Sequence, residues 1–145
     1  MGTNKYRGLI SVAAHLLFLA NTTAAAGCLC TYTPATLVEV IDGNTIILDI
    51  EGHTKTVHVY GIDTPKLAQN DTGTWCEKEG VKALGAMQYA RALLKNAKEI
   101  TIEEKAINRA GDVIANVYVD QLNLGQELLY KYFAIRSGEP TTWCD

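Results

Sequence analysis

Three stretches of the chain are rich in β-branched residues and are separated by turn signals. They cover residues 36–42, 45–50 and 55–60, with Asp42-Gly43 and Glu51-Gly52 between them. β-branched side chains favour extended backbone, and an acidic residue followed by glycine is typical of a tight turn. The pattern predicts three antiparallel strands in a meander.

Residues 77–96 lack proline and carry apolar side chains at near-helical spacing, which predicts one amphipathic helix. We expect its core-facing stripe to consist of four residues: Leu84, Met87, Ala90 and Leu94. Two further segments, 99–103 and 113–119, alternate apolar with polar residues and predict strands. A short helix is expected over 123–132.

Five strands, with one helix after the third strand and another after the fifth, form a recognisable element order. It predicts an α+β, mainly β domain: a five-stranded Greek-key barrel of the oligonucleotide-binding (OB) type with two helices. A chain of 145 residues suits one such domain. We place it at residues 36–136, after a linker over 28–35 and before a tail over 137–145. Residues 66–74 are expected to form an exposed loop.

Residues 1–27 are predicted to be an export signal. Lys5 and Arg7 precede an apolar run over 8–20, and small residues follow it. The run is shorter than the roughly 20 residues that a membrane-spanning helix needs. Two outcomes remain open: ordinary cleavage and release, or a lipobox-like site at which lipid on Cys28 tethers the protein to the membrane. Either outcome predicts a periplasmic, cell-envelope or extracellular protein of a bacterium.

The charge balance bears on the partner. Lys5 and Arg7 are the only charged residues in the signal, so the rest of the chain has 11 basic and 16 acidic residues and a net charge of −5. An acidic domain gains nothing from counterion release on nucleic acid and is repelled by it at long range. We therefore expect an unidentified protein or small molecule as partner, and not nucleic acid.

Four cysteines, Cys28, Cys30, Cys76 and Cys144, lie after the predicted signal, where an oxidising compartment favours disulfides. Four cysteines allow three pairings. A bridge within Cys28-Leu29-Cys30 would close a very small ring, whereas a Cys76–Cys144 bridge would remove much more freedom from the unfolded chain. The second bridge is favoured. Whether Cys28 and Cys30 pair stays open.

Four short motifs follow one another along the chain: Ile41-Asp42-Gly43-Asn44-Thr45, Tyr60-Gly61-Ile62-Asp63-Thr64-Pro65, Cys76-Glu77-x-Glu79 and Val117-Tyr118-Val119-Asp120. In that order they resemble the thermonuclease family, the calcium-dependent staphylococcal nuclease type. The resemblance covers about residues 38–134, and it implies the same barrel. The contexts of Cys76 and of Trp143-Cys144 also resemble a secreted subset of that family that bridges these two regions.

In such nucleases two aspartates hold a calcium ion that polarises the scissile phosphate. The resemblance implies that Asn44 replaces one of them, that Asp63 keeps the other, that Asp42 is an outer-shell position and that Thr64 offers its backbone carbonyl. Calcium affinity depends on the number of charged ligands. These four residues therefore imply at most a vestigial calcium site, and no cofactor is expected.

The groups that act on the phosphate are replaced as well. The resemblance places His58 at the first arginine of the family, Lys66 at the glutamate that activates water, and Asp112 at the second arginine. Histidine is mostly neutral near pH 7, an ammonium cannot accept a proton from water, and a carboxylate repels the developing negative charge. No intact catalytic residue remains.

Two structural hypotheses follow from these replacements. Lys66 and Asp112 would pair across the vacated site as a salt bridge, the alternative being two solvated charges. His58 would join Asp42, Asn44 and Asp63 in a transition-metal site, the alternative being a structural histidine.

Three functions are compatible with the sequence. The first is a catalytically inactive pseudonuclease that acts as an exported binding or interaction module. The second is a weak or altered metal-dependent phosphodiesterase that cleaves DNA or RNA. The third is a disulfide-stabilised envelope lipoprotein whose barrel is a scaffold. The four replacements and the acidic balance favour a non-catalytic protein.

Overall fold

The computed structural model of the protein describes residues 31–68, 75–140 and 143–145. Within these residues the elements follow in this order: β1 (Thr33–Val40), β2 (Thr45–Ile50), β3 (His53–Val59), β4 (Ile62–Asp63), α1 (Glu77–Asn96), β5 (Ile100–Ile107), β6 (Val113–Val119), β7 (Leu122–Asn123), α2 (Leu124–Tyr130) and β8 (Ile135–Arg136). The predicted signal segment, Cys28 and Cys30 lie outside the described residues.

The five long strands close into a barrel. They pair antiparallel in the order β3-β2-β1-β5-β6, and the two ends of that order then pair with each other in parallel, from Val57 opposite Val113 to Val59 opposite Ala115. Closure of this kind pairs the sheet edges that would otherwise stay open. The predicted fold class, a mainly β, α+β domain with a five-stranded OB-type barrel and two helices, is confirmed.

β1 pairs with two neighbouring strands, β5 and β2. Its first residues, Thr33 to Ala35, pair with β5, and the segment from Ala35 to Val40 pairs with β2. The register with β2 shifts between Leu37 and Glu39. A bulge bends its strand and increases the local twist, so this shift helps one strand to pair with two neighbours.

The barrel interior is filled by alternate residues of its strands and is closed at one end by α2. β6 buries every second side chain, starting at Val113 and ending at Val119. Fully buried branched side chains from four elements meet there: Ile46, Leu48, Val57, Val117, Leu124 and Leu128. The alternation that predicts these strands is therefore the alternation between core and solvent.

Several strands are longer than the sequence pattern predicts. β1 begins before residue 36, β3 begins before residue 55, and β5 continues past residue 103. The last four residues of β5 are all exposed and are held by pairing with β6. Alternation detects strands that have one buried face, so it does not reveal this extension or the two-residue strands β4, β7 and β8.

α1 has the predicted bounds, but its buried face differs from the predicted stripe. The apolar residues that it buries are Ala83, Ala86, Ala90 and Leu94, whereas Leu84 is exposed and Met87 is half-buried. Hydropathy favoured the larger side chains, but the helix lies so close to the β1–β2 turn that alanine is what fits there. None of the helices in the described part of the chain is long and apolar enough to span a membrane.

Gly43 marks this close approach. A Cβ built at Gly43 would lie 2.9 Å from Ala86 Cβ and 3.0 Å from Thr64 Cγ2. We predict that Gly43→Ala lowers the free energy of unfolding by about 1–3 kcal/mol, since overpacking forces neighbouring backbone apart. Urea denaturation measures the change. In the double variant with Ala86→Gly, part of the loss should return, and an unchanged stability of the single variant would contradict the contact.

A tyrosine occupies the left-handed position that ends α2. Tyr132 has φ +60°, and the amide of the next residue, Phe133, donates to Leu128 O at 2.9 Å. This is the hydrogen bond of a Schellman cap, in which glycine is the usual left-handed residue. Tyr132 is 91% exposed, so its ring contributes little packing to offset the backbone strain.

We predict that Tyr132→Gly raises the free energy of unfolding by about 1 kcal/mol, because glycine adopts this conformation without the Cβ clash. Tyr130→Gly is the matched control: Tyr130 is also exposed but is the last residue of α2. There glycine should destabilise the protein by about 1 kcal/mol. Changes of the same sign in the two variants, measured by urea denaturation, would refute this interpretation of the cap.

Candidate functional site

Barrel closure gathers most of the predicted site residues at one end of β3. Asn44 lies directly before β2, His58 lies near the end of β3, and Asp112 lies directly before β6. β2 places Thr45 opposite His58, and β6 places Ile114 opposite His58. The side chains that the resemblance assigns to metal and phosphate binding therefore sit on adjoining strands and turns.

Asn44 is buried, and its carboxamide is hydrogen-bonded at both ends. Its Nδ2 donates to Ile62 O at 3.3 Å, and its Oδ1 accepts from Thr64 Oγ1 at 2.9 Å. Only 8% of the residue is exposed. An aspartate here could not donate to the Ile62 carbonyl, and two acceptors would face each other inside the protein. Asparagine is the residue that completes this network.

The other predicted calcium residues are also engaged by protein groups. Asp42 Oδ1 accepts from Asn44 N at 2.9 Å, and Asp63 Oδ1 accepts from Ser137 Oγ at 3.3 Å. Asp63 is exposed on β4, which pairs with β8. Calcium needs several converging oxygen ligands with negative charge. One oxygen of each carboxylate accepts a protein donor here, and the amide of Asn44 adds no negative charge, so these residues fit calcium poorly.

The structure does not bring His58 together with a set of metal-ligating side chains. Across residues 31–68, 75–140 and 143–145, no three His, Cys, Asp or Glu side chains are grouped so as to hold a metal ion. The imidazole is instead shared between two protein partners. Its Nε2 lies 3.0 Å from Asp112 Oδ2, and its Nδ1 lies 3.4 Å from Thr45 Oγ1.

The partners of His58 indicate which ring nitrogen donates. A carboxylate only accepts hydrogen bonds, so Nε2 carries a proton towards Asp112, and Nδ1 faces the Thr45 hydroxyl. The side chains of His58 and Asp112 remain 34% and 29% exposed. Threonine, imidazole and carboxylate thus form a continuous hydrogen-bonded chain at the surface.

Asn108 completes the surroundings of Asp112. Its Nδ2 donates to Asp112 Oδ2 at 3.0 Å, while its Oδ1 accepts from the amides of Ala110 and Asp112. The hydrogen bond from His58, the bond from Asn108 and the charge of the imidazole hold the pKa of Asp112 below its usual value of 3.8. The carboxylate that replaces an arginine of the resembled family is therefore a stable anion within a built cluster.

The predicted salt bridge between Lys66 and Asp112 is wrong. In the described part of the chain, the ion pair of Asp112 is with His58. The backbone of Lys66 is held from the other side: its amide donates to Glu79 Oε1 at 2.9 Å, and its carbonyl accepts from Trp75 Nε1 at 2.9 Å. A histidine on the neighbouring strand reaches Asp112 by pairing alone, whereas Lys66 lies in a turn that is fixed to α1.

The predicted disulfide between Cys76 and Cys144 is confirmed, with the two Cα atoms 5.9 Å apart. Cys76 is also the N-cap of α1, and Lys82 Nζ donates to Trp143 O at 2.7 Å. The bridge spans 68 residues of sequence. In the chain-entropy model, closure of a loop of that length contributes about 4 kcal/mol. The tail is thereby tied to the start of the helix that holds Lys66.

Four residues that contact the predicted site residues were not themselves predicted as site residues from the sequence: Trp75, Glu79, Asn108 and Ser137. Glu79 belongs to a motif that supports the resemblance, and only the structure shows its buried carboxylate accepting from Lys66 N. Asn108 could have been found from the spacing Asn-x-x-Gly-Asp, which is typical of an Asx-type turn. Ser137 meets Asp63 only because β8 pairs with β4.

No model of a known protein family matches this chain. The resemblance to thermonucleases therefore stays a prediction from the four motifs.

We predict that ¹³C NMR titration places the Asp112 carboxyl pKa below 3.8. His58→Ala should move it upwards by more than Asn108→Ala does, since His58 is the larger cause. A depressed carboxyl pKa stabilises the fold at pH values above the unfolded-state pKa, and that contribution is lost as pH falls through the folded-state value. Asp112→Asn should therefore flatten the pH dependence of unfolding below pH 4. An unchanged pKa in His58→Ala would contradict the assigned cause.

Proposed function

We propose that this protein is an exported, catalytically inactive relative of the thermonuclease-type barrel that acts as a binding or interaction module. Export, and tethering through Cys28, belong to the same proposal and rest on the pattern of residues 1–28 alone. Hydrolysis of nucleic acid is not its function.

The observation that carries the proposal is the hydrogen-bonding of Asn44. At the position where a metal-binding carboxylate is expected, its amide donates to Ile62 O and accepts from Thr64 Oγ1. Restoring the carboxylate would break the first of these bonds and bury an uncompensated charge. Asn44 therefore does more than remove one calcium ligand: its amide forms hydrogen bonds that the fold uses when no ion is bound.

The phosphate side of the cluster supports the same proposal. His58 and Asp112 are paired with each other at 3.0 Å. Two arginines there would repel each other and attract a phosphate, whereas a histidine and an aspartate satisfy one another and leave little positive charge. Together with the net charge of −5 outside residues 1–27, this favours a protein or a small molecule as partner.

The test is a cleavage assay with fluorescent single-stranded DNA and RNA in the presence of calcium. The unmodified protein should show no calcium-dependent cleavage. A variant with Asn44→Asp, His58→Arg, Lys66→Glu and Asp112→Arg should exceed it by at least about 100-fold, the scale on which single electrostatic groups act in active sites. Calcium-dependent cleavage by the unmodified protein would overturn the proposal and support the phosphodiesterase alternative.

A matched control carries the same four substitutions together with Asp63→Asn, which removes the remaining carboxylate of the resembled calcium site. Any gained cleavage should disappear in this control. Circular dichroism checks that each variant is folded. If the four-substitution variant is unfolded, Asn44→Asp with Lys66→Glu replaces it, and a calcium-dependent rise in its melting temperature, absent from the unmodified protein, is the expected result.

A further inference from the structure

A second cleft lies on the outside of the barrel, away from the cluster around His58. It is lined by Tyr32, Glu99, Thr101, Tyr118 and Gln121, and its volume is about 360 Å³. Ligand pockets in proteins range from about 300 to 1,000 Å³. The cleft is therefore of a size for a small ligand or for one side chain of a larger partner.

Two aromatic rings form a corner in this cleft. The rings of Tyr32 and Tyr118 are 5.3 Å apart between centroids and stand at 83° to each other. Tyr32 lies just before β1, and Tyr118 lies on β6, opposite Thr101 of β5. The edge-to-face arrangement leaves two ring faces at a right angle. A group that enters the corner can contact both faces, and the face of an aromatic ring is its negative side.

The Tyr118 side chain is held in position. Its hydroxyl lies 3.4 Å from Glu103 Oε2, a carboxylate that also accepts from Asn116 Nδ2 at 3.0 Å. Lys105 Nζ pairs with the other oxygen of Glu103 at 2.6 Å, so this carboxylate is neutralised locally. Burial is the main cause that raises the pKa of Tyr118. The ring is therefore a neutral and well-anchored wall of the cleft.

Glu99 supplies the charge of the cleft. It lines the same cleft as the two rings, and its backbone amide donates to Asp120 Oδ1 at 2.9 Å. The backbone amide of Lys98 donates to the same oxygen of Asp120. Lys98 itself lines a different groove, between β1 and α1. The one residue with a charged side chain among the described residues that line the cleft is thus a glutamate, and it shares the cleft with the two rings. This combination attracts a cation that is too weakly hydrated to prefer water.

We propose that this cleft binds a small organic cation of the trimethylammonium class. Such a group is round enough to touch both ring faces and carries no hydrogen-bond donors that the rings would leave unsatisfied. Thr101 and Gln121 provide hydrogen-bonding groups at the rim for the rest of the ligand. The site uses none of the residues around His58, so its failure would leave the proposed loss of nuclease activity unaffected.

Choline is the probe, and 3,3-dimethylbutan-1-ol, which has the same shape without the charge, is its matched control. Titration of the full chain is followed by NMR of the tyrosine rings. Choline should shift the Tyr32 and Tyr118 resonances saturably, and the neutral isostere should bind at least about tenfold more weakly, on the scale of cation–π interactions that are partly desolvated. Equal affinity for the two compounds would overturn the proposal.

Two variants separate the site from general surface binding. Tyr32→Ala should weaken choline binding by about fivefold or more. Tyr60→Ala is the matched control, since Tyr60 and Tyr32 are both 52% exposed and Tyr60 is not part of the lining; its affinity should be unchanged. Glu99→Gln should weaken choline binding and leave binding of the neutral isostere as it was.

Three results would contradict the proposal. They are equal losses of affinity in Tyr32→Ala and Tyr60→Ala, unchanged affinity in Glu99→Gln, and saturable binding of a neutral sugar in the absence of any response to choline. Tyr118→Phe keeps the ring but removes its hydroxyl. Retained choline binding in this variant is expected, because the ring face and not the hydroxyl makes the contact, and loss of binding in a folded Tyr118→Phe protein would count against the cation–π geometry.

Discussion

The parallel pairing of β3 with β6 is the constraint on which the rest of the structure depends. It closes the barrel, because these two strands are the ends of an otherwise antiparallel order. It also brings residues 54 positions apart into contact, since His58 lies on β3 and Asp112 lies directly before β6. The same register therefore completes the core and assembles the polar cluster, and a change in that register would disrupt both.

The polar cluster is explained by the need to satisfy buried groups without an ion. In a site that holds a metal, carboxylates are tolerated next to one another because the cation neutralises them. Asn44 keeps the shape of such a carboxylate but supplies a donor to Ile62 O. His58 and Asp112 likewise satisfy one another. Asn44, His58 and Asp112 thus have protein partners in the place of a ligand, and this is the physical basis for proposing a non-catalytic role.

The segment after β4, around Lys66, is hydrogen-bonded to Trp75 and to α1, and a disulfide in turn links the start of α1 to the tail. Glu79 accepts from the amide of Lys66, and Trp75 donates to its carbonyl. Glu79 lies in the first turn of α1, and the N-cap of α1 is Cys76, which is bridged to Cys144. The tail, the helix and the turn thus form one continuous support. The Tyr32–Tyr118 corner lies elsewhere in the barrel, where β1 pairs with β5 and β5 pairs with β6.

Local pattern alone determined the strands over β2 and β6, both bounds of α1 and the order of the five long strands and two helices. Side-chain alternation and helical spacing are short-range properties. The sequence also predicted the Cys76–Cys144 disulfide, because that bridge closes a much longer loop than a bridge between Cys28 and Cys30 would. Only the tertiary structure decided which side of α1 is buried, since the close approach at Gly43 selects alanine over the more apolar Leu84. It likewise decided that Asp112 pairs with His58 and not with Lys66. The sequence shows which side chains are charged. Which of them pair depends on strand register, which places His58 beside Asp112, and on the hydrogen bonds that hold the Lys66 backbone near α1.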